Sequence, residues 1–582
     1  MSWSIKQKLY ERYQQEEQPK RSQSGDRLEV ALAFPNTYHV GMSNLGFQVI
    51  YREINSRVGT LCDRFFYPDK ADLVDHERTE MPLLSLERQK VLSSYNIVAF
   101  AVSFEMDYLH LLAMLKLGRV PIWSKERKNK DPFVVVGGPC ATFNPEPLAE
   151  FVDAFVIGEG EEVIHEILAV YEKGQQEGLS RDEVLLEIAS VPGVYVPRFY
   201  QPVYGTEGII ERFDCLQAVP ERVERRWIKN IGHHPAETTV VTGNTEFKDM
   251  YLIEIARGCG RHCRFCMAGY CFRRPRVQPL SVLEQAIDRA QKYRNKVGLV
   301  GAAISDYPEI DALCAMILKK NMTLSVASLR ADTLTPALAA MLARSGQRTI
   351  TLAPEAGSTK LRQVINKGIS NDDLERAMDL AVQAKIPHVR FYIMVGLPFE
   401  QDEDIEAIIT LARYMKAKMD QSQSNGKLTL SINPFVPKPF TPFQWLPMTP
   451  MKIVEDRLKK IKKSLRGDRR IEVLIESPKE AYIQGILARG DRRLAQPLVH
   501  CLEKGNLKAL KKGLDQAGLN EDFYLYRSRE FGECLPWHVL DMGLNPGYLE
   551  QELEKSRRLQ ATEPCREGCR RCGVCIEGES HE

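Results

Sequence analysis

The chain has 582 residues, of which 44% are hydrophobic and 27% are charged, and its 79 lysines and arginines nearly balance its 77 aspartates and glutamates. This length predicts several domains rather than one core, and a formal net charge of +2 gives no global electrostatic argument for nucleic-acid binding. The polar first residues predict no secretory signal peptide, and no apolar run is long enough to cross a bilayer. We therefore expect a cytoplasmic protein, whose 14 cysteines are ligands, catalysts or core residues rather than disulfides.

Residues 1–26 are interpreted as a polar leader, and residues 27–165 alternate short apolar strands with helical segments. This alternation predicts parallel strands in a doubly wound, Rossmann-like α/β sheet, which binds ligands beyond the carboxyl ends of its strands. Strands are predicted within 28–35, 96–104, 131–139 and 153–161, with a helix within 45–54. Six residues are predicted at this ligand edge: Pro35, Asn36, Ser103, Gly137, Gly138 and Glu159. Tight strand-to-helix turns would explain their presence at the strand ends equally well.

Residues 166–247 are less regular and are interpreted as a connector. Alternation resumes over 248–450, where six successive strands are predicted. Six strand–helix units in about 200 residues favour an open, partial (β/α)6 TIM barrel over a closed eightfold barrel. Residues 451–560 are predicted to form a mainly helical domain with one further strand at 470–477, and residues 561–582 a cysteine-rich tail.

Three cysteines directly follow the first barrel strand: Cys259, Cys263 and Cys266, in the spacing C-x3-C-x2-C. Three thiolates can hold three irons of a [4Fe–4S] cluster and leave the fourth iron free to chelate a small molecule. A structural zinc ion or a closed cluster would take a fourth protein ligand. Cys271, five residues after Cys266, is the candidate for that ligand, but we interpret it as a structural residue.

This loop resembles the signature of the radical S-adenosylmethionine (SAM) enzymes, C-x3-C-x-aromatic-C after the first strand of a partial barrel, with Phe265 as the aromatic residue. Later strand ends resemble the places where this family binds SAM, although the family's Gly-Gly-Glu turn is missing from 298–308. For the polar residues, a helix cap or a surface charge is the alternative role. The SAM-binding residues that the resemblance implies are Phe265, Gly301, Ser305, Ser328, Arg330, Glu355, Ser358 and Arg390.

The resemblance also implies a mechanism. A [4Fe–4S] cluster on the three cysteines would cleave SAM reductively into methionine and a 5′-deoxyadenosyl radical, with an electron from a reductant such as flavodoxin or ferredoxin. The cofactors would carry the chemistry, while the protein would supply cluster ligands, orientation and a water-poor cavity.

The N-terminal segments 31–51 and 137–164 are similar to the Rossmann-like domain that precedes the barrel in cobalamin-binding radical SAM enzymes. The D-x-H-x-x-G motif, whose histidine can ligate cobalt, is absent, and His39 stands at the wrong spacing. Cobalamin is therefore one hypothesis for this domain. A vestigial or substrate-recognition role is the other.

The tail carries four more cysteines in the spacing C-x3-C-x2-C-x2-C: Cys565, Cys569, Cys572 and Cys575. Four thiols in a short segment without an apolar core predict a metal site, because such a segment gains its structure from the metal. A second [4Fe–4S] cluster and a tetrahedral zinc ion fit four thiolates equally well. A second cluster could relay electrons, and a zinc knuckle could hold a substrate such as RNA.

Together these features predict a radical SAM enzyme that transfers a methyl or methylthio group to an unactivated carbon, with RNA or a ribosomal protein as the hypothesised substrate. The alternative reaction is a radical rearrangement or cyclisation of a small molecule. The alternative class is a non-catalytic iron–sulfur or RNA-binding module.

Overall fold

The computed structural model describes residues 2–17, 28–422, 425–566 and 568–574. As predicted, an α/β Rossmann-like domain, a partial barrel and a mainly helical region follow one another along the chain. The predicted leader begins with helix Ser2–Gln14. Within the described ranges, no helix combines the length and apolar character that crossing a membrane requires.

A six-stranded sheet forms the centre of the N-terminal domain. Numbered one to six along the chain, its strands lie in the order 2-1-3-4-5-6, and the sixth is antiparallel to its neighbour. The four predicted strands and the helix, which spans Leu45–Ser56, are confirmed. The strands are Leu28–Phe34, Thr60–Phe66, Ile97–Ala101, Phe133–Gly137, Ala154–Val156 and Val194–Tyr195.

Strand Thr60–Phe66 was not predicted because charged residues interrupt its apolar run. All seven residues are nevertheless buried. Arg64 is fully buried between Glu16 and Glu87, which lie 2.5 and 2.7 Å from its guanidinium nitrogens. Ion pairing satisfies the charge inside the sheet, so the strand is buried without a hydrophobic pattern.

The N-terminal domain extends beyond position 165, where its end was predicted. That position lies inside helix Gly160–Glu177, whose apolar face is buried, and helix Arg181–Ala189 leads on to the sixth sheet strand. The predicted connector 166–247 thus begins with parts of this domain and continues with the antiparallel hairpin Tyr200–Tyr204 and Ile210–Cys215. Charged residues on the outer faces of the two helices conceal their amphipathic pattern.

The barrel has parallel strands in two sheets, joined by a bridge between Leu329 and Leu352. All six predicted strands are confirmed, and a seventh, Ile471–Ile475, pairs with the sixth. The strand predicted at 470–477 therefore belongs to the barrel, which passes the predicted boundary at 450, because helix Met451–Leu465 serves as one more crossover. The first six strands are Tyr251–Glu254, Lys296–Val300, Thr323–Ser325, Thr349–Glu355, His388–Val395 and Leu428–Pro434.

Helices cover the outside of the barrel. Along strand His388–Val395, alternate residues are buried, and these pack in the core beneath the helices. The residues between them, including Arg390 and Tyr392, point to the concave face. The helices are Leu280–Ala290, Ile310–Lys319, Pro336–Arg344, Thr359–Val364, Asn371–Gln383 and Asp402–Gln421.

The C-terminal region is mainly helical and packs on the N-terminal domain. The amide of Asn144 donates to the carbonyl oxygens of Ala488 and Gly490 at 3.1 and 2.8 Å, and Arg492 binds the buried Glu146 at 2.8 Å. The first and last parts of the chain therefore hold each other beside the barrel. The helices are Pro478–Arg489, Ala495–Lys504, Leu510–Gln516, Glu521–Leu525 and Tyr548–Arg557.

Candidate active site

The three-cysteine loop, residues 258–275, follows the first barrel strand. A short antiparallel ladder between Ala256–Arg257 and Arg276–Val277 closes its base. Gly258 has a φ of +80°, and a Cβ atom there would lie 2.1 Å from the carbonyl oxygen of Phe272. Only glycine lets the two ends of the loop approach this closely.

The loop brings Cys259, Cys263 and Cys266 together. Burial raises the pKa of the Cys259 thiol, and the neighbouring Cys263 raises it further. Burial and the other two thiols raise the pKa of Cys266 to about 12. Because metals bind thiolates, a bound cationic centre would favour the ionised forms of these groups. Among the described residues, no three His, Cys, Asp or Glu side chains are arranged to hold one ion, and a four-iron cluster spreads its ligands more widely than one ion does.

Cys271 is fully buried in the hydrophobic core next to this loop. Burial raises the pKa of its thiol to about 12, the Arg225 guanidinium opposes that shift, and Cys266 adds to it. Cys271 thus lies near Cys266, and its structural role stays a prediction.

A buried lysine lies beside the loop. Lys367 is 7% exposed; its ammonium lies 3.1 Å from the carboxylate of Glu355 and 5.8 Å from the centre of the Phe265 ring. Burial lowers the pKa of Lys367, but Glu355 and Cys263 outweigh it and raise the pKa overall. Sequence reasoning missed Lys367, because a lone lysine in the turn after a short helix belongs to no spacing pattern.

Two arginines share the carboxylate of Asp332 near the loop. Arg330 donates to both of its oxygens at 3.0 and 3.1 Å and to the carbonyl oxygen of Lys367 at 2.9 Å. Arg261 donates two hydrogen bonds of 2.7 and 2.6 Å to Asp306 and reaches Asp332 at 3.2 Å. The positive charge of Arg330 acts to lower the pKa of the Cys259 thiol, while the Arg330 guanidinium is hydrogen-bonded to Asp332.

The remaining predicted SAM-binding residues are spread out. Ser358 caps the helix Thr359–Val364, accepting from the amide of Leu361 at 3.1 Å and donating to Asp404 at 2.6 Å. The Ser358 hydroxyl is thus engaged as a helix cap. Ser328 is exposed, and Arg390 is half-buried on the concave face, with no hydrogen-bond partner for its Nε among the described residues.

Gly301 and Ser305 follow the second barrel strand but face different spaces. Gly301 lines the cavity between the barrel and the N-terminal domain. The hydroxyl of Ser305 accepts a 2.7 Å hydrogen bond from Thr333 and lines a separate groove that contains Arg261 and Cys565. The structure thus brings Phe265, Arg330 and Glu355 near the three cysteines, and places Ser305 and Ser358 in other contacts.

The cavity between the two domains, here called the interdomain cavity, has a volume of about 530 Å³. One wall is the carboxyl edge of the N-terminal sheet, and the other combines barrel strand ends with the three-cysteine loop. Four of the six residues predicted at the ligand edge line it: Ser103, Gly137, Gly138 and Glu159. The barrel side is lined by Glu254, Ala256, Arg257, Gly258, Ala268, Phe272, Val300, Gly301 and Ala302.

Charged residues surround the barrel side of this cavity. Arg257 lies 3.3 Å from Glu159, 2.8 Å from Glu161 and 2.8 Å from Glu254. Burial raises the pKa of Glu254, and Arg257 opposes that shift. One guanidinium therefore connects the loop base to two carboxylates of the N-terminal domain.

The tail lies against the three-cysteine loop. The amide of Cys565 donates a 2.7 Å hydrogen bond to the carbonyl oxygen of Gly260, and Cys569 and Cys572 are buried. Cys575 lies outside the described residues. The chain's two cysteine motifs are thus neighbours in space.

Two family models match the chain. The model for radical SAM proteins, N-terminal, matches residues 46–197, and the model for the radical SAM superfamily matches residues 253–412. The first covers most of the N-terminal sheet. The second begins two residues into the first barrel strand. It then contains the three-cysteine loop and the next four of the seven barrel strands.

Two relatives with known sequences align with half of the chain or more. An uncharacterised protein of Methanocaldococcus jannaschii is 29% identical over 507 residues, which are 83% of this chain and 94% of that protein. An uncharacterised methyltransferase of Pyrococcus horikoshii is 24% identical over 314 residues, 51% of this chain and 60% of that protein.

A solved structure shares the fold. TsrM from Kitasatospora setae is a radical SAM methyltransferase whose structure contains cobalamin and a [4Fe–4S] cluster. The alignment has a TM-score of 0.50 at 12% identity and covers 84% of this chain and all of that one.

Proposed function

The chain belongs to the radical SAM superfamily, and on that premise we propose that it is a methyltransferase that uses a [4Fe–4S] cluster, SAM and cobalamin to methylate an unactivated carbon. The observation that carries the proposal is the interdomain cavity, because it joins the ligand edge of the N-terminal sheet to the three-cysteine loop. The similarity to a Pyrococcus horikoshii methyltransferase supports the reaction class.

The three-cysteine loop fits an open [4Fe–4S] cluster. Its donors, Cys259, Cys263 and Cys266, are thiols that interact electrostatically, and two cations, Lys367 and Arg330, lie beside them. Positive charge favours thiolates and an anionic cluster. When bound and reduced, such a cluster supplies the electron that cleaves SAM.

The N-terminal edge of the interdomain cavity fits a large ligand with apolar faces and a polar rim. Gly137 leaves this edge open, since a Cβ atom there would meet only Val156, at 3.8 Å. Asn44 and Ser103 form a 3.1 Å hydrogen bond at the rim and would hold the amide groups of cobalamin. No histidine is among the lining residues that the structure describes, so a bound cobalamin would receive no histidine ligand from this lining.

The chain's own residues bind and orient the cofactors. Lys367 and Arg330 would stabilise the negative charge of a bound cluster. Arg257 fixes the loop base to the N-terminal domain. The apolar walls exclude water, which protects a reactive radical. Together they would hold the methyl donor in the interdomain cavity, beside the three-cysteine loop.

For the acceptor, we propose RNA or a ribosomal protein, as hypothesised from the sequence. The concave face of the barrel presents polar side chains, among them Arg390, Tyr392 and Asn433, which suit a polar acceptor. A methylthio product or a rearranged small molecule would be a different outcome of the same assay.

The test is an anaerobic assay of the full chain reconstituted with iron, sulfide, cobalamin and methyl-labelled SAM, reduced with dithionite and supplied with RNA and ribosomal protein fractions. We expect 5′-deoxyadenosine or S-adenosylhomocysteine, and label in one fraction. Cys263→Ala should abolish SAM turnover, while the control Cys314→Ala, at a buried position of helix Ile310–Lys319, should retain it. Turnover unchanged in Cys263→Ala, or none in the reconstituted wild type, contradicts the proposal.

Cobalamin has its own test. Gly137→Leu should fill the N-terminal edge of the cavity and abolish cobalamin retention while leaving the iron content unchanged. The control is Gly243→Leu, where a Cβ atom meets nothing within 4 Å. Equal cobalamin retention in both variants would place the cofactor elsewhere and refute this part of the proposal.

A further inference from the structure

We infer that the acceptor is a strand of RNA, which docks by its phosphates on a row of cations at the amino edge of the four-stranded barrel sheet. From there it reaches the concave face of the barrel past Arg390 and Tyr392. That this RNA accepts the methyl group rests on the proposed function. Its docking at this edge is a separate claim, because docking depends only on the charges and side chains there.

Four residues at the amino ends of four neighbouring barrel strands lie side by side. Arg348, Lys427 and Arg470 each directly precede a strand, and His388 begins one. The amide of His388 donates a 3.1 Å hydrogen bond to the carbonyl oxygen of Arg348, and the amide of Lys427 donates at 3.1 Å to Nδ1 of His388. The amide of Leu428 donates at 2.9 Å to the carbonyl oxygen of Arg470. Because neighbouring strands lie about 4.8 Å apart, the cationic side chains form a row along the edge.

The crossover helix Met451–Leu465 brings further cations to the same edge. The turn after this helix leads directly into Arg470 and the seventh barrel strand, so the last turn of the helix lies beside the row. We call the whole set of exposed cations the basic edge: Arg348, Lys427, Lys462, Lys463, Arg466, Arg469 and Arg470.

The basic edge has fewer carboxylates than cations. Glu472 lies 2.6 Å from Lys427, and Asp420 lies 4.0 Å from Arg470. Asp468, in the turn itself, pairs instead with Arg413 of the neighbouring helix at 3.0 Å. Within the part of the chain that the structure describes, the other five cations of the basic edge form no ion pair. This edge therefore carries a local excess of positive charge, although the whole chain is nearly neutral.

The helix dipole explains only part of this charge. Lys462 and Lys463 lie in the last turn of their helix, where a cation is favourable. Arg348 and Lys427 precede strands, and a β-sheet has only a small net dipole. Burial lowers the pKa of His388, and the charges of Arg348 and Lys427 lower it further. Like charges on neighbouring strands repel each other, and a bound polyanion would relieve that repulsion.

The basic edge offers no apolar anchor for a bilayer. None of the exposed large hydrophobic side chains that the structure describes lies within residues 459–470 or within three residues of Arg348 or Lys427. A helix that binds a membrane surface needs an exposed apolar face. The apolar residues of the crossover helix are buried in the barrel core: Val454, Leu458, Ile461 and Leu465.

Arg390 and Tyr392 connect the basic edge with the concave face. They follow His388 at intervals of two along the fifth strand, so the three side chains point to one side of the sheet, about 6.6 Å apart at each step. Nε of Arg390 has no hydrogen-bond partner among the described residues. The pKa of Glu472 is lowered by its hydrogen bond with Lys427 and also by the charge of Arg390. Arg390 thus extends the positive charge from the edge into the barrel.

A single strand of RNA matches this combination of groups. It carries one phosphate per nucleotide, which suits a row of cations better than the scattered carboxylates of a folded protein do. Proteins that bind single strands combine such cations with aromatic rings on which bases stack. The half-buried Tyr392 is such a ring, one step nearer to the carboxyl ends of the strands than Arg390. We therefore assign phosphates to the basic edge and Arg390, and one base to Tyr392.

RNA binding by the reconstituted full chain tests the docking surface. Wild type should bind a labelled single-stranded RNA of mixed sequence, and Arg348→Gln/Arg466→Gln/Arg469→Gln should bind it about tenfold more weakly or worse. The slope of log affinity against log salt concentration should become shallower by about 2, since each lost phosphate contact removes about 0.7. The control Lys504→Gln/Lys508→Gln/Lys512→Gln removes three exposed cations of the C-terminal region and should leave affinity and slope unchanged.

The same measurement has outcomes that overturn the inference. Equal weakening in the two triple variants, or no RNA binding by wild type, overturns the docking surface. Polyglutamate, or vesicles that contain phosphatidylserine, bound as tightly as RNA and with the same dependence on the basic edge, would assign the surface to an acidic protein or a membrane and overturn RNA. Absence of SAM cleavage would refute the proposed function and leave the binding result intact, so the two proposals fail separately.

Tyr392→Ala tests the stacking, with Tyr392→Phe as the control that keeps the ring. Tyr392→Ala should weaken RNA binding about fivefold or more without changing the salt slope, because the ring carries no charge. Tyr392→Phe should bind like wild type. Equal binding by Tyr392→Ala and wild type, or equal losses in both variants, overturns the stacking role.

Methyl transfer tests whether the docked RNA is the acceptor. With a cellular RNA fraction as substrate and methyl-labelled SAM, the variant Arg348→Gln/Arg466→Gln/Arg469→Gln should raise KM about tenfold, in line with its weaker binding, and leave kcat unchanged. Label in ribosomal protein instead of RNA, or an unchanged KM in this variant, overturns the acceptor role.

Discussion

Arg276 donates hydrogen bonds of 2.8 and 2.6 Å to the two carboxylate oxygens of Glu159, joining the base of the three-cysteine loop to the N-terminal domain. Both side chains are buried. Burial alone would raise the pKa of Glu159, but Arg276 and Arg257 outweigh it and lower the pKa. The carboxylate stays charged, and the bidentate pair fixes how the interdomain cavity faces the cysteines.

We predict that Arg276→Met destabilises the protein by about 3 kcal/mol, the low end for a broken buried pair, because Arg257 remains near Glu159. Denaturant unfolding measures this change. The control Arg212→Met removes an exposed pair with Asp214 and should cost below about 1 kcal/mol. Equal losses in the two variants would show that the interdomain pair has no special role.

Lys367 should raise the reduction potential of a cluster on the three-cysteine loop, since its charge lies beside Cys263. We predict that Lys367→Met lowers that potential by about 60 mV, a tenfold change for one electron, without loss of iron. Lys360→Met, at the more exposed ion pair with Asp404, is the control. Potentiometry decides: an unchanged potential in Lys367→Met means that the lysine serves only to neutralise Glu355.

The sequence predicted those parts of the fold and site that depend on local pattern. Apolar runs located eleven strands, and the spacing of Cys259, Cys263 and Cys266 located the loop. Lys367 was missed because its position depends on the three-dimensional packing of Glu355 and Phe265. Ser358 is the opposite case. A serine directly before a helix can be predicted as its N-cap from the local sequence alone, and this is the role that the structure shows.

Gly258 should be irreplaceable in the loop. Gly258→Ala would combine a strained φ of +80° with a Cβ atom 2.1 Å from the Phe272 carbonyl oxygen. We expect the loop base to open and Gly258→Ala to bind less than half of the iron that the three-cysteine loop otherwise holds. The measurement is made in a background that lacks the tail cysteines Cys569 and Cys572, so that only this loop is counted. Gly243→Ala, at an open position with ordinary φ, should bind iron normally. Full iron binding by Gly258→Ala would mean that the loop can still hold the cluster when the two strands of the ladder at its base move apart.

Glu400 gives the protein a pH-dependent stability. Burial raises its pKa from 4.5 to about 7, although the Gly396 amide and Arg457 favour the charged form. Between pH 4.5 and 7 the folded protein thus holds a proton that the unfolded chain releases, so stability contributed by this group is full below pH 4.5 and is lost as the pH rises through 7.

Glu400→Gln carries a neutral amide at every pH and so mimics the protonated carboxyl group. Its free energy of unfolding, compared with wild type, should therefore rise between pH 5 and pH 8 by on the order of 3 kcal/mol. Denaturant unfolding of the apoprotein across this pH range measures the difference. The exposed Glu403→Gln should give a difference that does not change with pH, and a flat curve for Glu400→Gln as well would show that Glu400 is already ionised in the folded protein at pH 5.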